Sequence, residues 1–334
     1  MKRNQGCPAK AMSIRNHSRR IAASDGTPDS VSWQDEFAAS VRGLVRRNEL
    51  LSNYTTLGLG GPADIMFEPA DEADLKAALA IVRKRKVPLK VIGGGSNLLV
   101  GDRGVRGIIV RLPPDLISTE MVGQDEGVWV SYCAGMLSVA AYRHAIENRL
   151  VGLEFLPGIP GTIGGALRMN AGGRLGEMAD VVEGIEVMRV DGATYIPAQE
   201  LGFAYRYAEL PDSAVITRVD VLLRPAESRE ITSVKERVQQ EIEHRRLTQP
   251  AGRSAGSMFK NPPGRHAARL LEDCGLKGES VGGARVSTEH ANFLINDGTA
   301  TAGDMMQLID LCRNKVRKQF GLSLELEVKL EGEF

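Results

Sequence analysis

Two segments place backbone groups, not side chains, where chemistry can happen: GGGSN at residues 93–97 and GIPGTIGG at residues 158–165. Gly93, Gly94 and Gly95 carry no Cβ, so consecutive amides can converge on an anion, and a phosphate or pyrophosphate is the natural ligand. A tight turn between two strands also uses glycine, so the triplet alone leaves both readings open. The dinucleotide fingerprint GxGxxG is not met, because Leu98 stands where its third glycine belongs and the residues after it read as extended. A Rossmann NAD domain is therefore disfavoured. In the second loop Gly158, Gly161, Gly164 and Gly165, with Pro157 and Pro160, specify an irregular path far from the first. A long dinucleotide lying between two α/β units takes backbone contacts from both, and FAD has that length and charge. Contacts are expected from Gly93, Gly94, Gly95, Ser96 and Asn97, and from Gly158, Ile159, Pro160, Gly161, Thr162 and Gly164. Asn170 either meets a flavin edge or caps a turn.

The elements that must hold these loops follow from periodicity. Residues 63–67 alternate as a strand, and a helix capped by Asp71 runs over residues 72–84, with Leu75, Ala78, Leu79 and Val82 on one face. Strands are expected at residues 89–92 and 108–112, bracketing the first loop. A second unit contains a strand at 128–133, a helix at 137–148, the long Gly/Pro loop, and strands at 185–190 and 214–222. A charged amphipathic helix over 229–246 buries Ile231, Val234, Val238 and Ile242 and stops before Pro250. The rest offers a helix at 266–274, a strand at 293–296, a helix opened by Thr301 and Asp304 and ended by Gly321, and a terminal strand at 322–330.

The bulk numbers bound the answer. A chain of 334 residues suggests two or three packed units. With 42 basic and 42 acidic side chains there is no net field to attract nucleic acid or an anionic membrane. No run approaches the roughly 20 apolar residues of a membrane span. The four cysteines and five histidines are scattered, so neither a disulfide framework nor a metal site is expected, and a reducing cytoplasmic setting fits. Residues 1–35 read as a basic, disordered tail, although an organelle transit peptide has similar composition. No obligate protein partner is called for.

Taken in order, the motifs resemble one family closely, the UDP-N-acetylenolpyruvoylglucosamine reductases. The resemblance rests on TTLGLGGPAD at 55–64, GGGSNLLV at 93–100, PGIPGTIGGALRMNAGG at 157–173, YR at 205–206, GSMFKNP at 256–262, GLKG at 275–278, VSTEHANFLIN at 286–296 and LELEV at 324–328. It implies a mixed α+β and α/β architecture: a two-subdomain FAD-binding fold of the vanillyl-alcohol-oxidase type plus a C-terminal α+β substrate domain. The corresponding boundaries are 36–113 and 114–226 for the FAD subdomains and 227–334 for the substrate domain with its linker helix. The resemblance also implies NADPH as reductant and an enolpyruvyl UDP-sugar as substrate. It casts Ser257 as proton donor, Glu327 as its acidic partner and Arg206 as the active-site arginine, with Lys260, Asn261 and His290 holding substrate. The stretch 207–249 is short, which places the chain with the subtype lacking a tyrosine-bearing loop insertion.

These residue types suit that reaction. Hydride addition to an enol ether conjugated to a carboxylate needs negative charge to be accepted into the carboxylate, which an arginine does well through two parallel hydrogen bonds. A buried, protonated Glu327 can donate to the same oxygen. The adjacent carbon then takes a proton, and a well-placed serine suffices because the carbanion is strongly basic.

Overall fold

The computed structural model describes residues 32–124, 126–211 and 214–334, so the expected basic tail lies almost wholly outside the described residues. Its last expected residues are an exception, because Trp33–Ser40 forms helix α1, seated by buried Phe37. Strand β1 (Leu44–Leu50) follows and pairs antiparallel with β2 (Pro62–Glu68). Neither α1 nor β1 was expected; each offers little apolar period, since α1 buries one side chain and β1 none.

Helix α2 (Glu72–Arg85) starts where the Asp71 carboxylate accepts the Asp74 amide, and ends at Lys86 in the left-handed conformation. Strands β3 (Leu89–Val91), β4 (Leu98–Val100) and β5 (Val105–Val110) complete the first unit. Its sheet runs β1-β2-β5-β3, with β5 parallel to both neighbours. Strands β2 and β5 are apolar on both faces: Ile65, Phe67, Ile108 and Val110 join the large core, while Ala63, Met66, Val105 and Ile109 fill a smaller cluster with Leu51 and Val100.

The second unit is built on β6 (Glu120–Gln124), β7 (Gly127–Cys133), α3 (Ser138–Glu147), β8 (Leu150–Val151) and α4 (Ile163–Arg168). The short hairpin β9 (Gly172–Gly173) and β10 (Gly176–Glu177) leads to β11 (Val182–Arg189), β12 (Gly192–Pro197) and β13 (Val215–Pro225). The sheet order is β12-β11-β13-β7-β6, with β8 on β13. Its buried face is continuous with the core of the first unit, so one apolar cluster serves both. The Gly/Pro loop is not irregular throughout. Past Pro160 nothing forbids a helix, and the Thr162 hydroxyl accepts the Gly165 amide to start α4.

Helix α5 (Ser228–Thr248) buries Ile231, Val234 and Val238 as its spacing requires. Beyond it lie β14 (Arg253–Ser257), α6 (Ala267–Asp273), β15 (Ser280–Val281), β16 (Ala284–Val286), β17 (Phe293–Asn296), α7 (Ala302–Phe320) and β18 (Lys329–Glu331). Four of these strands form an antiparallel sheet in the order β14-β17-β16-β15. Helix α7 opens on a reciprocal Thr301–Asp304 capping box and closes at Gly321 with φ 69°. The expected strand over 322–330 shrinks to β18. Its chain changes partner midway, bonding first to residues 258–260 and then pairing parallel with β4, so no continuous ladder forms.

Besides the β4–β18 ladder, further contacts lock this last unit to the first. Leu57, Leu59 and Leu99 enter its core. The Asp102 carboxylate accepts the Ala302 and Gly303 amides at 2.8 and 2.9 Å, capping α7 from outside. Asn296 donates its side-chain amide to the Leu57 carbonyl at 2.8 Å. Among the described residues no helix is long and apolar enough to cross a membrane.

Candidate active site

The two glycine loops, 65 residues apart by their first glycines at 93 and 158, touch each other. A Cβ on Gly94 would stand 2.7 Å from the Gly161 Cα, and one on Gly93 would stand 2.5 Å from the Thr162 hydroxyl. Neither position tolerates a side chain. Gly95 has φ 59°, and a Cβ there would overlap the Tyr54 carbonyl. The Ser96 hydroxyl donates to the Pro160 carbonyl at 2.7 Å, which fastens one loop to the other.

This cradle fits an extended pyrophosphate-containing cofactor. Among the described residues, the amides of Gly93, Gly94, Gly95, Ser96 and Asn97 donate to no protein acceptor, nor do those of Gly158 and Gly161. Such a cluster of backbone N–H groups without protein acceptors can form an anion-binding nest. Two buried hydroxyls without partners, those of Thr56 and Ser138, lie beside the same loops, since Thr56 bonds by its amide to Gly95 and Ser138 to Gly161. Ile159 and Pro160 occupy the rim of the second loop, and Gly164 starts the first turn of α4, its amide committed to the Ala134 carbonyl. Asn170 is different. It is buried with φ 39°, donates to Glu177 and the Ala204 carbonyl, and accepts the Ala179 amide, so its side chain ties protein segments together.

Arg206 and Glu327 come together from opposite ends of the sequence. Arg206 sits at φ 57° in a tight turn closed by paired Ala204–Tyr207 backbone bonds. Its Nη1 donates to the Gly172 carbonyl at 3.3 Å, and its guanidinium lies over the Tyr205 ring at 5.3 Å. Its Nε lies 2.9 Å from Glu327 Oε1, but this N–H is not aimed at that oxygen, so the contact is ionic and the buried donor stays without a hydrogen bond. Burial pushes the Glu327 carboxyl up from its ordinary range, opposed by Arg206, Lys260 and Lys329. A buried acid raised by desolvation beside a cation is the arrangement a proton-sharing site uses.

Ser257 reaches the same place through backbone pairing. Gly256, at φ 73°, and the register break between Ser254 and Ser257 turn the end of β14. The chain then runs against the segment bearing Glu327: the Glu327 amide donates to the Met258 carbonyl and the Lys260 amide to the Glu325 carbonyl, both at 2.9 Å. Asn292 clamps Phe259 by two hydrogen bonds, holding this run in place. Among the described residues the Ser257 hydroxyl makes no hydrogen bond. Lys260 is mostly buried, and its ammonium contacts Glu325 at 2.6 Å.

Asn261 lines an open groove of about 430 Å³ with Tyr205, Pro262, Gly264, Arg265 and His266, while its Oδ1 accepts the Ala267 amide. His290 is packed rather than open: it stacks edge-on against Phe293 at 4.8 Å, its Nδ1 accepts the Asn292 amide at 3.3 Å, and burial lowers its pKa. Sequence reasoning gave no role to Arg245. That side chain pairs with Glu241 and packs its stem on Gly158 while its head meets Gly173, which braces the second loop from α5. The only sequence signal for it was the basic end of α5.

Comparison with known proteins agrees with this geometry. Residues 63–196 match the model of an FAD binding domain, and residues 246–331 match the C-terminal domain of UDP-N-acetylenolpyruvoylglucosamine reductase. The chain is 48% identical over 305 residues to the UDP-N-acetylenolpyruvoylglucosamine reductase of Anaeromyxobacter dehalogenans strain 2CP-C, covering 91% of each. It is 41% identical to that of Moorella thermoacetica, covering 91% of this chain and 99% of the other. The crystal structure of the Thermus caldophilus reductase superposes with a TM-score of 0.72 at 39% identity, covering 87% of this chain and all of that one. With FAD-binding and reductase-specific halves both matched, the chain is an FAD-dependent oxidoreductase and belongs to the UDP-N-acetylenolpyruvoylglucosamine reductase family.

Proposed function

We propose that this chain reduces the enolpyruvyl ether of UDP-N-acetylglucosamine to UDP-N-acetylmuramate, with NADPH as reductant, as a step in cytoplasmic peptidoglycan precursor synthesis. The observation that carries the reading is the convergence of Arg206, Glu327 and the Ser257 segment next to two mutually packed glycine loops.

Bound FAD supplies the hydride chemistry. The residues of the chain do the rest. Gly93, Gly94, Gly95, Ser96 and Asn97, with Gly158 and Gly161, offer backbone amides to the pyrophosphate. Arg206 holds the carboxylate of the enolpyruvyl group and stabilises the charge that develops there, an effect of roughly 3–4 kcal/mol in comparable oxyanion sites. Glu327, its carboxyl pushed up by burial, donates to the same carboxylate when it carries a proton. Ser257 gives its proton to the carbon beside that carboxylate, its hydroxyl being uncommitted to other protein groups. Asn261, in the groove lined by Tyr205 and Arg265, and Lys260, one residue before it and paired with Glu325, hold the charged nucleotide end of the sugar; His290 supports Asn292 behind them.

The test is a product analysis. Incubation with NADPH and the enolpyruvyl UDP-sugar should convert the enol ether to a lactyl ether with gain of one hydride and one proton. Oxidation of NADPH without any change in the sugar would sink the proposal.

A further inference from the structure

Asn97 closes the first glycine loop, and its side chain does something a cofactor ligand would not. Its Nδ2 donates to the Glu327 carbonyl at 3.1 Å, and its own carbonyl accepts the Lys329 amide at 3.0 Å. One residue thus grips the chain on both sides of Val328. Directly after it the parallel ladder begins, Leu98 opposite Lys329 and Val100 opposite Glu331. On its other side the Glu327 amide is spent on the Met258 carbonyl. Both backbone groups of Glu327 are therefore fixed, one by the segment that carries Ser257 and one by the cofactor loop.

The loop itself has little freedom. Gly94 lies against Gly161, Gly95 against Tyr54, and Ser96 is bonded to Pro160. A shift of the Gly93, Gly94 and Gly95 amides would be transmitted to the Glu327 segment through the two hydrogen bonds of Asn97, of which the side-chain one reaches the Glu327 carbonyl itself. We infer that Asn97 is a positioning residue which couples the conformation of the first glycine loop to the placement of Glu327 against Arg206. This inference rests on the reduction proposed above. It separates two jobs within one loop: the glycine amides face the cofactor, while the Asn97 amide faces the acid.

The experiment compares wild-type holoenzyme with Asn97→Ala and Asn97→Asp, both reconstituted at saturating FAD. The aspartate keeps the shape but turns an oxygen toward the Glu327 carbonyl, so it cannot restore the bond. Both variants keep the Asn97 backbone amide in the loop, so reduction of the flavin by NADPH should fall less than reoxidation by the sugar does. Reoxidation by the enolpyruvyl UDP-sugar should slow at least about ten-fold, and its alkaline limb should move, because Glu327 is displaced from Arg206. Hydrogen exchange should quicken in residues 322–331 while residues 93–96 remain protected. Equal losses in both half-reactions, rescue by aspartate, or unchanged exchange in residues 322–331 would each overturn the inference. A wild-type enzyme that the sugar fails to reoxidise would instead sink the proposed function, and the exchange comparison would still decide the coupling.

Discussion

Arg206 and Glu327, 121 positions apart in the sequence, stand in ionic contact at 2.9 Å with both side chains largely withdrawn from solvent. The turn that presents Arg206 is wired to the β9 strand and to Asn170, and the strand that presents Glu327 is wired to the first glycine loop. Each partner therefore belongs to a different half of the fold, and their contact exists only when both halves are assembled.

Removing the cation should separate substrate chemistry from cofactor chemistry. In Arg206→Met, reoxidation of reduced flavin by the enolpyruvyl UDP-sugar should fall roughly 10²- to 10³-fold, as for loss of one oxyanion donor, while flavin reduction by NADPH persists. Stopped-flow absorbance resolves the two steps. A parallel loss in both would show that Arg206 serves the fold or the cofactor.

Ser257→Ala tests the proton donor with little structural disturbance, since the hydroxyl bonds to no described protein group. The variant should bind FAD and be reduced normally, and its turnover with the sugar should collapse. Normal turnover would remove Ser257 from the chemistry.

The raised pKa of Glu327 fixes the sign of two pH dependences. Its folded pKa lies above the unfolded value, so its stabilising contribution is complete below the unfolded carboxylate range and is lost as pH rises through the folded value. Glu327→Gln should flatten that decline in a pH series of thermal melts. The same titration sets an alkaline limb on sugar reduction if the protonated acid is the working form. Lys260 opposes the upward shift, so Lys260→Met should move the limb to higher pH. Movement in the other direction would contradict the assignment.

The loop contact can be graded. Ser96→Ala deletes the bond to the Pro160 carbonyl, worth about 1 kcal/mol net, and should weaken FAD binding about five-fold. Gly94→Ala puts a methyl 2.7 Å from the Gly161 Cα, where backbone cannot yield, and should give a protein that does not retain flavin. FAD release measured by fluorescence distinguishes them, and equal affinities would mean that the loops do not form the cradle jointly.

Much of this was legible in the sequence because it depends on local rules. Asp71, Thr301 with Asp304, and Gly321 marked helix ends by capping chemistry that acts over four residues, and the structure uses all of them. Glycine content marked both loops for the same reason. What sequence left open is non-local. The bond from Asn97 to the Glu327 carbonyl spans 230 positions, and the split pairing of residues 322–330 depends on two partners from different units. Asn170 could be read as a flavin contact or a turn cap until its three partners, one of them at Ala204, were visible. Helix α4 was hidden by its own glycines, whose low helical propensity is overridden by the Thr162 cap and the burial of Ile163, Ala166 and Leu167.

The central claim is that flavin held by these loops passes a hydride on to an enolpyruvyl UDP-sugar at the Arg206–Glu327 site. Anaerobic mixing of the purified yellow protein with NADPH, followed by the sugar, tests it most directly. Bleaching of the flavin absorbance and then its recovery on addition of the sugar is the predicted result. A flavin that stays bleached with the sugar present, and recolours only when oxygen is admitted, would contradict it.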